Sequence, residues 1–190
     1  SDVYKRQGTW SALSEEWNGT NWSAQVNLPV SRSNHSAAGQ TDADSALAFA
    51  GASGGAYASP TDVDTIEWNG SSWSTYSETG FPTHCGFGTG LGSTEAALYH
   101  GHSSLNRTWD GSSWSSIANS TSIHFKADGG GTVNDALIFG GMDDFGVYNT
   151  GYCTELFDGS SWSTQGGLSA ARIYIDCLLY TSDAADEWLR

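Results

Sequence analysis

The chain has 190 residues, including 24 Gly and 9 Trp, and its 7 Lys and Arg oppose 21 Asp and Glu for a net charge of -14. Phosphate backbones and anionic membrane surfaces attract basic proteins, so this acidity argues against nucleic acid and charged lipid as partners. No apolar stretch approaches the roughly 18 residues needed to cross a bilayer, and we expect no membrane insertion. Abundant Trp, Gly, Ser and Thr favour a soluble all-β protein with short strands and tight turns.

Both ends of the chain look foreign to the natural protein. Residues 2–7 back-translate to a sequence that resembles the transposase end used in building sequencing libraries, and residues 177–182 back-translate to its reverse complement in another frame. We therefore expect residues 1–7 and 177–190 to be adapter-derived, and residues 8–176 to be the natural part of a metagenomic reading frame cut at both ends. The alternative is that residues 177–180 form a genuine apolar strand.

One short motif recurs four times along the natural segment, with copies about 40 to 50 residues apart. Each copy contains an aromatic residue, then Asn-Gly or Asp-Gly, two further polar residues and Trp-Ser. Asn-Gly and Asp-Gly supply the positive φ that a tight hairpin requires. Each copy therefore predicts a β-hairpin with one aromatic on each arm: Trp17 and Trp22, Trp68 and Trp73, Trp109 and Trp114, and Phe157 and Trp162.

An apolar run that ends in glycine precedes each of the last three hairpins, at residues 46–51, 96–101 and 136–141. Continuous apolar residues are consistent with a strand buried on both faces. A looser segment of small and polar residues lies before each run and predicts another strand, so each unit is expected to contain four strands. Terminal glycines permit a sharp exit from the apolar strand; they are Gly51, Gly101, Gly140 and Gly141.

A single four-stranded sheet leaves at least one face exposed to water, so such units must stack to form a core. Repeats of about 40 to 50 residues with four strands are typical of propeller blades. The sequence resembles the kelch repeat, which also occurs in the propeller of galactose oxidase. Residues 136–141, Phe157 and Trp162 match the family's apolar run, glycine pair, aromatic and Trp best. A β-sandwich or a solenoid is the alternative architecture, but neither explains the recurring hairpin.

The resemblance also implies a basic residue after each Trp strand. Candidates lie ten or eleven positions after the Trp, and they are Arg32, His84, His124 and Arg172.

We expect a partial blade at residues 8–31, blades at about 32–83, 84–123 and 124–171, and the start of another at 172–176. Three complete blades are fewer than the four or so that close a ring. The prediction is therefore an open, partial kelch-type β-propeller of four-stranded antiparallel blades, with edge strands prone to association.

The second Trp of each hairpin could stack on sugar rings, but a repeated position is first a structural one, so packing between blades is favoured. Tyr57 and Tyr148 occur once each, in long loops after the apolar strands, and are the predicted ligand-loop residues.

No catalytic, cofactor or metal site is predicted. The acidic pairs at Asp42 and Asp44, Asp62 and Asp64, and Asp143 and Asp144 lack a complete calcium loop. His100 and His102 could chelate a metal from one face of a strand, but a third ligand is not identified. Cys85 and Cys153 could pair, although free thiols are the default.

These features predict a non-enzymatic repeat scaffold that binds a protein or a glycan, in an extracellular or virion-surface setting such as a tail or adhesion component of a bacterium or phage. The alternative is a fragment of a galactose oxidase-like or sialidase-like enzyme whose catalytic residues lie in other blades. Copper ligands of galactose oxidase do not map onto numbered positions, and Asp110 departs from the sialidase spacing because Gly111 and Trp114 follow too early.

Overall fold

A computed structural model describes residues 11–33, 35–42, 45–51, 64–78, 89–101, 103–143 and 151–174. In these ranges the chain forms β-strands and turns and no helix, so no helix long and apolar enough for a membrane span occurs there. The sheets are one two-stranded hairpin and three four-stranded sheets, and none of them closes into a barrel.

The first hairpin contains β1 (Glu15–Trp17) and β2 (Trp22–Ala24). The second sheet contains β3 (Ser36–Asp42), β4 (Ser45–Phe49), β5 (Asp64–Trp68) and β6 (Trp73–Glu78). The third contains β7 (Thr89–Gly92), β8 (Ala97–His100), β9 (Asn106–Trp109) and β10 (Trp114–Ser116). The fourth contains β11 (Asp128–Thr132), β12 (Asp135–Phe139), β13 (Thr154–Phe157) and β14 (Trp162–Thr164).

Each four-stranded sheet is an antiparallel meander whose strands lie side by side in chain order. The first strands of the three sheets contact one another, with β7 between β3 and β11. Repeated sheets that meet through their first strands are the arrangement expected around a propeller axis. The predicted all-β, partial propeller-like fold with three four-stranded units and a partial one is confirmed.

In the first hairpin, four residues lie between the paired Trp17 and Trp22, and Asn18 N donates to Asn21 O at 3.2 Å across the turn. Gly19 has a φ of 91°, whereas Asn18 caps the turn with its side chain. Asn18 Oδ1 accepts the backbone N–H groups of Thr20 and Asn21 at 2.9 Å each. The glycine therefore supplies the positive φ, and the residue before it holds the loop through an Asx turn.

The same turn recurs in the later units, with Asn69, Asp110 and Asp158 in the capping position. Where the capping residue is Asp, hydrogen bonds from the serines of the turn lower the pKa of its carboxyl to about 2. The largest contribution comes from the backbone N–H of Ser113 for Asp110 and of Ser161 for Asp158. A charged carboxylate therefore accepts these hydrogen bonds at neutral pH.

The core lies between neighbouring sheets. Leu47 and Phe49 of the second sheet pack with Tyr99 and Trp109 of the third. In the next interface, β8 supplies Leu98, which packs with residues of the fourth sheet, namely Ala136, Ile138, Phe157 and Trp162. Apolar surface is therefore removed from water by stacking one unit on the next, as repeat proteins require.

The apolar strands do not all have two buried faces. All four residues of β8 are buried, whereas β12 alternates, with Leu137 36% exposed between buried Ala136 and Ile138. β8 packs against the second sheet on one face and the fourth sheet on the other, whereas Leu137 of β12 contacts solvent. Burial on both faces was the expectation for every run, and for β12 it is wrong.

Candidate functional site

An aromatic groove of about 340 Å³ lies between the first hairpin and the second sheet. Trp17 and Trp22 are 46% and 65% exposed, and their ring centroids are 5.6 Å apart. Glu16 Oε2 accepts a hydrogen bond from Gln25 Nε2 at 2.7 Å. The remaining lining residues are Ser14, Glu15, Ala46, Trp68 and Trp73. Exposed ring faces beside carboxylates and an amide form a combination that suits a peptide or a sugar.

The aromatic residues of the first hairpin are more exposed than their counterparts in the later units. Trp109, which is equivalent to Trp17 in the third sheet, is only 2% exposed, and Trp162, which is equivalent to Trp22, is 8% exposed. Both later residues belong to a sheet that stacks on the sheet before it. The first hairpin carries the same aromatic residue types as the later units, but its two Trp rings are exposed.

The second Trp of each later hairpin reaches back to the preceding unit. The indole Nε1–H of Trp73 donates to Val26 O at 3.0 Å, and that of Trp162 donates to Ala118 O at 3.1 Å. In each pair the acceptor lies four positions after the Trp of the preceding hairpin. Trp114 instead donates to the buried Thr65 Oγ1 at 2.7 Å. These three indoles connect neighbouring units.

A buried polar cluster lies where the third and fourth sheets meet. His124 Nδ1 is 2.8 Å from Gly140 O, and its Nε2 is 3.1 Å from Glu155 Oε1. Glu155 also accepts the backbone N–H groups of Thr121 and Ser122 at 2.8 Å each. Both nitrogens of the imidazole therefore lie within hydrogen-bond distance of a buried oxygen.

The charge on Glu155 is stabilised although the side chain is fully buried. Burial is the largest influence and raises the pKa of the carboxyl, but the hydrogen bonds from His124 and Thr121 together outweigh it and lower the pKa to about 2. The carboxylate connects the segment before the fourth sheet to β13. Glu155 and His124 are both buried and bond to protein groups, which describes a structural hydrogen-bonded pair rather than a site open to substrate.

His100 extends this cluster from the third sheet. Its ring contacts the His124 ring edge to face at a centroid distance of 5.5 Å, and its Nδ1 is 2.7 Å from Asn106 Oδ1. Asn106 Nδ2 donates to Ser104 O and Ala118 O, which fixes Oδ1 as an acceptor and Nδ1 of His100 as a donor. Burial, with the charge of His124, lowers the pKa of His100 to about 4, so the ring is neutral at pH 7.

Two of the basic residues expected after the Trp strands, Arg32 and His124, occupy comparable positions in their units. Arg32 Nη1 donates to Ala50 O at 3.5 Å and to Asp64 O at 3.0 Å, and His124 bonds to the carbonyl of Gly140. Ala50 and Gly140 both directly follow an apolar strand. Arg32 and His124 therefore satisfy the carbonyl at the same place in two units. His84 lies outside the described residues.

The predicted ligand residues Tyr57 and Tyr148 lie outside the described residues, as do His102, Cys85, Asp44, Asp62 and Asp144. Cys153 is a half-buried free thiol. Within the ranges that the structure describes, no group of three His, Cys, Asp or Glu side chains could hold a metal ion. The exposed groove was not singled out by sequence, because Trp17 and Trp22 carry the same residue types as their buried counterparts.

No protein-family model matches the chain, and no curated protein matches it. Among solved structures, the fold is similar to that of YjhT, with a TM-score of 0.57 and 15% sequence identity. The match covers 76% of this chain and 49% of YjhT, so the chain spans about half the length of that protein. At this identity the similarity shows a shared fold and carries no activity across.

Proposed function

We propose that the protein is a non-enzymatic kelch-type repeat scaffold that binds a protein or glycan ligand in the groove beside Trp17 and Trp22. The observation that carries the proposal is the exposure of these two rings in a groove that also contains Glu15, Glu16 and Gln25. Aromatic faces beside a few polar groups supply both apolar contact and orientation for a ligand.

The buried cluster supports a structural rather than a catalytic assignment for the charged residues. Glu155 and His124 are both fully buried and bond to protein groups of neighbouring segments. A catalytic acid or base must come within hydrogen-bond reach of a substrate. An extracellular or virion-surface location is part of the same proposal, supported by the acidic, Ser- and Thr-rich composition.

The test is a screen of the full chain against a glycan array and a library of displayed peptides, repeated with Trp22→Ala. Tyr152→Ala is the matched control, since Tyr152 is 48% exposed and does not line the groove. We expect a ligand whose binding is lost in Trp22→Ala and retained in Tyr152→Ala. Binding that neither substitution changes would place the ligand site elsewhere, and turnover of a bound glycan would refute the non-enzymatic assignment.

A further inference from the structure

We infer that the junction between the third and fourth sheets is acid-sensitive: mild acid releases the fourth sheet from the third, while the second and third sheets stay packed. The inference is independent of the aromatic groove and of the proposed function. It rests on one buried position that carries an apolar ring at one junction and a titratable ring at the next.

This position is the last residue of the apolar strand. Phe49 ends β4 and His100 ends β8, and both side chains are fully buried. Three residues before each of them, Ala46 and Ala97 lie opposite the first Trp of their hairpins, so the two strands have the same register in their sheets. His100 therefore occupies the place that a core phenylalanine has in the preceding sheet.

The two rings make the same contact with the sheet that follows them. Phe49 lies edge to face against Trp114 of the third sheet at a centroid distance of 4.8 Å, and His100 lies against Trp162 of the fourth sheet at 6.3 Å. Trp114 and Trp162 are each the second Trp of their hairpin. The two junctions therefore share this contact, and they differ in the chemistry of the ring that the earlier sheet contributes.

The packed junction favours the neutral form of His100. Its Nδ1 donates to Asn106 Oδ1 at 2.7 Å, whereas no described group lies within hydrogen-bond distance of its Nε2. In the neutral ring Nε2 carries only a lone pair, but in the protonated ring it carries an N–H group that has no acceptor in a fully buried place. A buried donor without an acceptor and a buried charge both destabilise the packed state.

The charged groups near His100 do not reverse this preference. Among the described residues, those that act on it are His124, which lies before the fourth sheet, and Glu155 of β13. Burial, followed by the charge of His124, lowers the pKa of His100 to about 4, and the opposing effects of Asn106 and Glu155 are smaller. Thr89 of β7 and Asn106 of β9, which pair with His100 in the third sheet, are uncharged.

Separation of the two sheets removes His124 and Trp162 from the His100 ring and gives Nε2 access to water. The pKa of His100 then returns towards 6.5, so between pH 6.5 and 4 the open form binds a proton that the closed form does not. Acid therefore favours opening. Glu155 acts in the same direction at lower pH, because its pKa is about 2 in the closed form and rises towards 4.5 on exposure. Phe49 has no proton to gain when its own junction opens.

Two indole N–H groups report on the two junctions separately, since Trp114 donates to Thr65 of the second sheet and Trp162 donates to Ala118 O, which follows the third. The test measures hydrogen exchange at both indoles of the full chain by NMR, at pH 7 and pH 5. We expect exchange at Trp162 to accelerate about twentyfold relative to exchange at Trp114, because His100 gains a proton on opening. The ratio cancels the pH dependence of indole exchange itself. A constant ratio would overturn the inference, whether both indoles accelerate or neither does.

Two variants assign the response to His100. His100→Gln keeps a donor for Asn106 but does not titrate, so the ratio should change by less than about twofold between the two pH values. The second variant combines His100→Phe with Asn106→Thr, and it copies Phe49 and Thr65, which hold the same two positions in the second sheet. It should also remove the change in the ratio. A twentyfold change that persists in either variant would refute the role of His100.

Discussion

At Gly141 the backbone has a φ of 87°, and an added Cβ atom would lie 2.9 Å from both the carbonyl carbon of His124 and the carbonyl oxygen of Phe125. Gly51, at the equivalent place in the second sheet, would bring a Cβ to 2.7 Å from Ser33 O. In both units the chain that enters the sheet passes directly over this glycine. The glycine after the apolar strand is therefore required by a close backbone approach as well as by its dihedral angle.

Replacing Gly141 by alanine should lower the free energy of unfolding by more than about 2 kcal/mol, because the variant combines a strained φ with backbone overlap. Gly166→Ala is the control, since a Cβ there has no neighbour within 4 Å, and its effect should stay within about 0.5 kcal/mol. Urea unfolding of both variants measures the difference. Equal stability of the two would show that the close approach is not maintained.

His100 should make the folded state sensitive to acid. Its pKa falls from 6.5 to about 4 on folding, through burial and the charge of His124, so between these pH values the unfolded chain binds a proton that the folded chain does not. The contribution is complete above pH 6.5 and is lost on acidification, at about 1.4 kcal/mol per pH unit inside this window.

The pH dependence is tested by comparing the wild type with His100→Gln, whose amide retains a donor for Asn106 but does not titrate. The difference in unfolding free energy between the two should be constant above pH 6.5 and should shrink as the pH falls towards 4. Groups that are remote from His100 titrate equally in both proteins, so they cancel in this comparison. A difference that does not vary with pH would contradict a buried neutral His100.

At the scale of strands and sheets, indole hydrogen bonds connect units that have no strand pairing with each other. Trp114 Nε1 donates to Thr65 Oγ1 at 2.7 Å, from β10 of the third sheet to β5 of the second. Thr65 is fully buried, so removal of its hydroxyl leaves the indole N–H without this acceptor in a partly buried interface. Leaving a buried donor without a partner destabilises the folded state by more free energy than the hydrogen bond contributes on balance.

Thr65→Val should therefore lower the free energy of unfolding by about 1–3 kcal/mol with little change in volume. Combining it with Trp114→Phe removes both partners, so the double variant should be less destabilised than the sum of the two single changes. Chemical denaturation of the four proteins in this cycle gives the coupling. Strict additivity would show that the two side chains do not interact in solution.

At the scale of the whole molecule, the described sheets stack on one another, and equivalent tryptophans differ in their exposure to solvent. Trp22 of the first hairpin is 65% exposed, whereas Trp109 in the third sheet is 2% exposed. Acrylamide is a neutral quencher, so the net charge of -14 does not bias its access. Trp22→Phe should clearly reduce the fraction of fluorescence that acrylamide quenches, and Trp109→Phe should not reduce it. Similar losses in the two variants would mean that the first hairpin is covered.

Much of the fold could be predicted from local pattern. The aromatic–Asx–Gly–x–x–Trp motif specifies its own hairpin, because the capping side chain and the glycine φ act within a few residues. The apolar runs identify β4, β8 and β12, whose side chains must leave water. The cluster of His100, His124 and Glu155 could not be predicted, since these residues come from separate repeats and meet only when two sheets stack.

The sequence by itself determined the all-β class, the four-stranded unit and the places of its turns, since each depends on dihedral preferences and on hydrophobic patterning over a few residues. Only the tertiary structure decided which of the equivalent tryptophans are buried. Trp22 and Trp162 have the same local sequence context, but Trp162 packs with Leu98 of the preceding sheet and is buried, whereas Trp22 is exposed. Exposure, and with it the candidate binding groove, depends on neighbours that a local pattern does not contain.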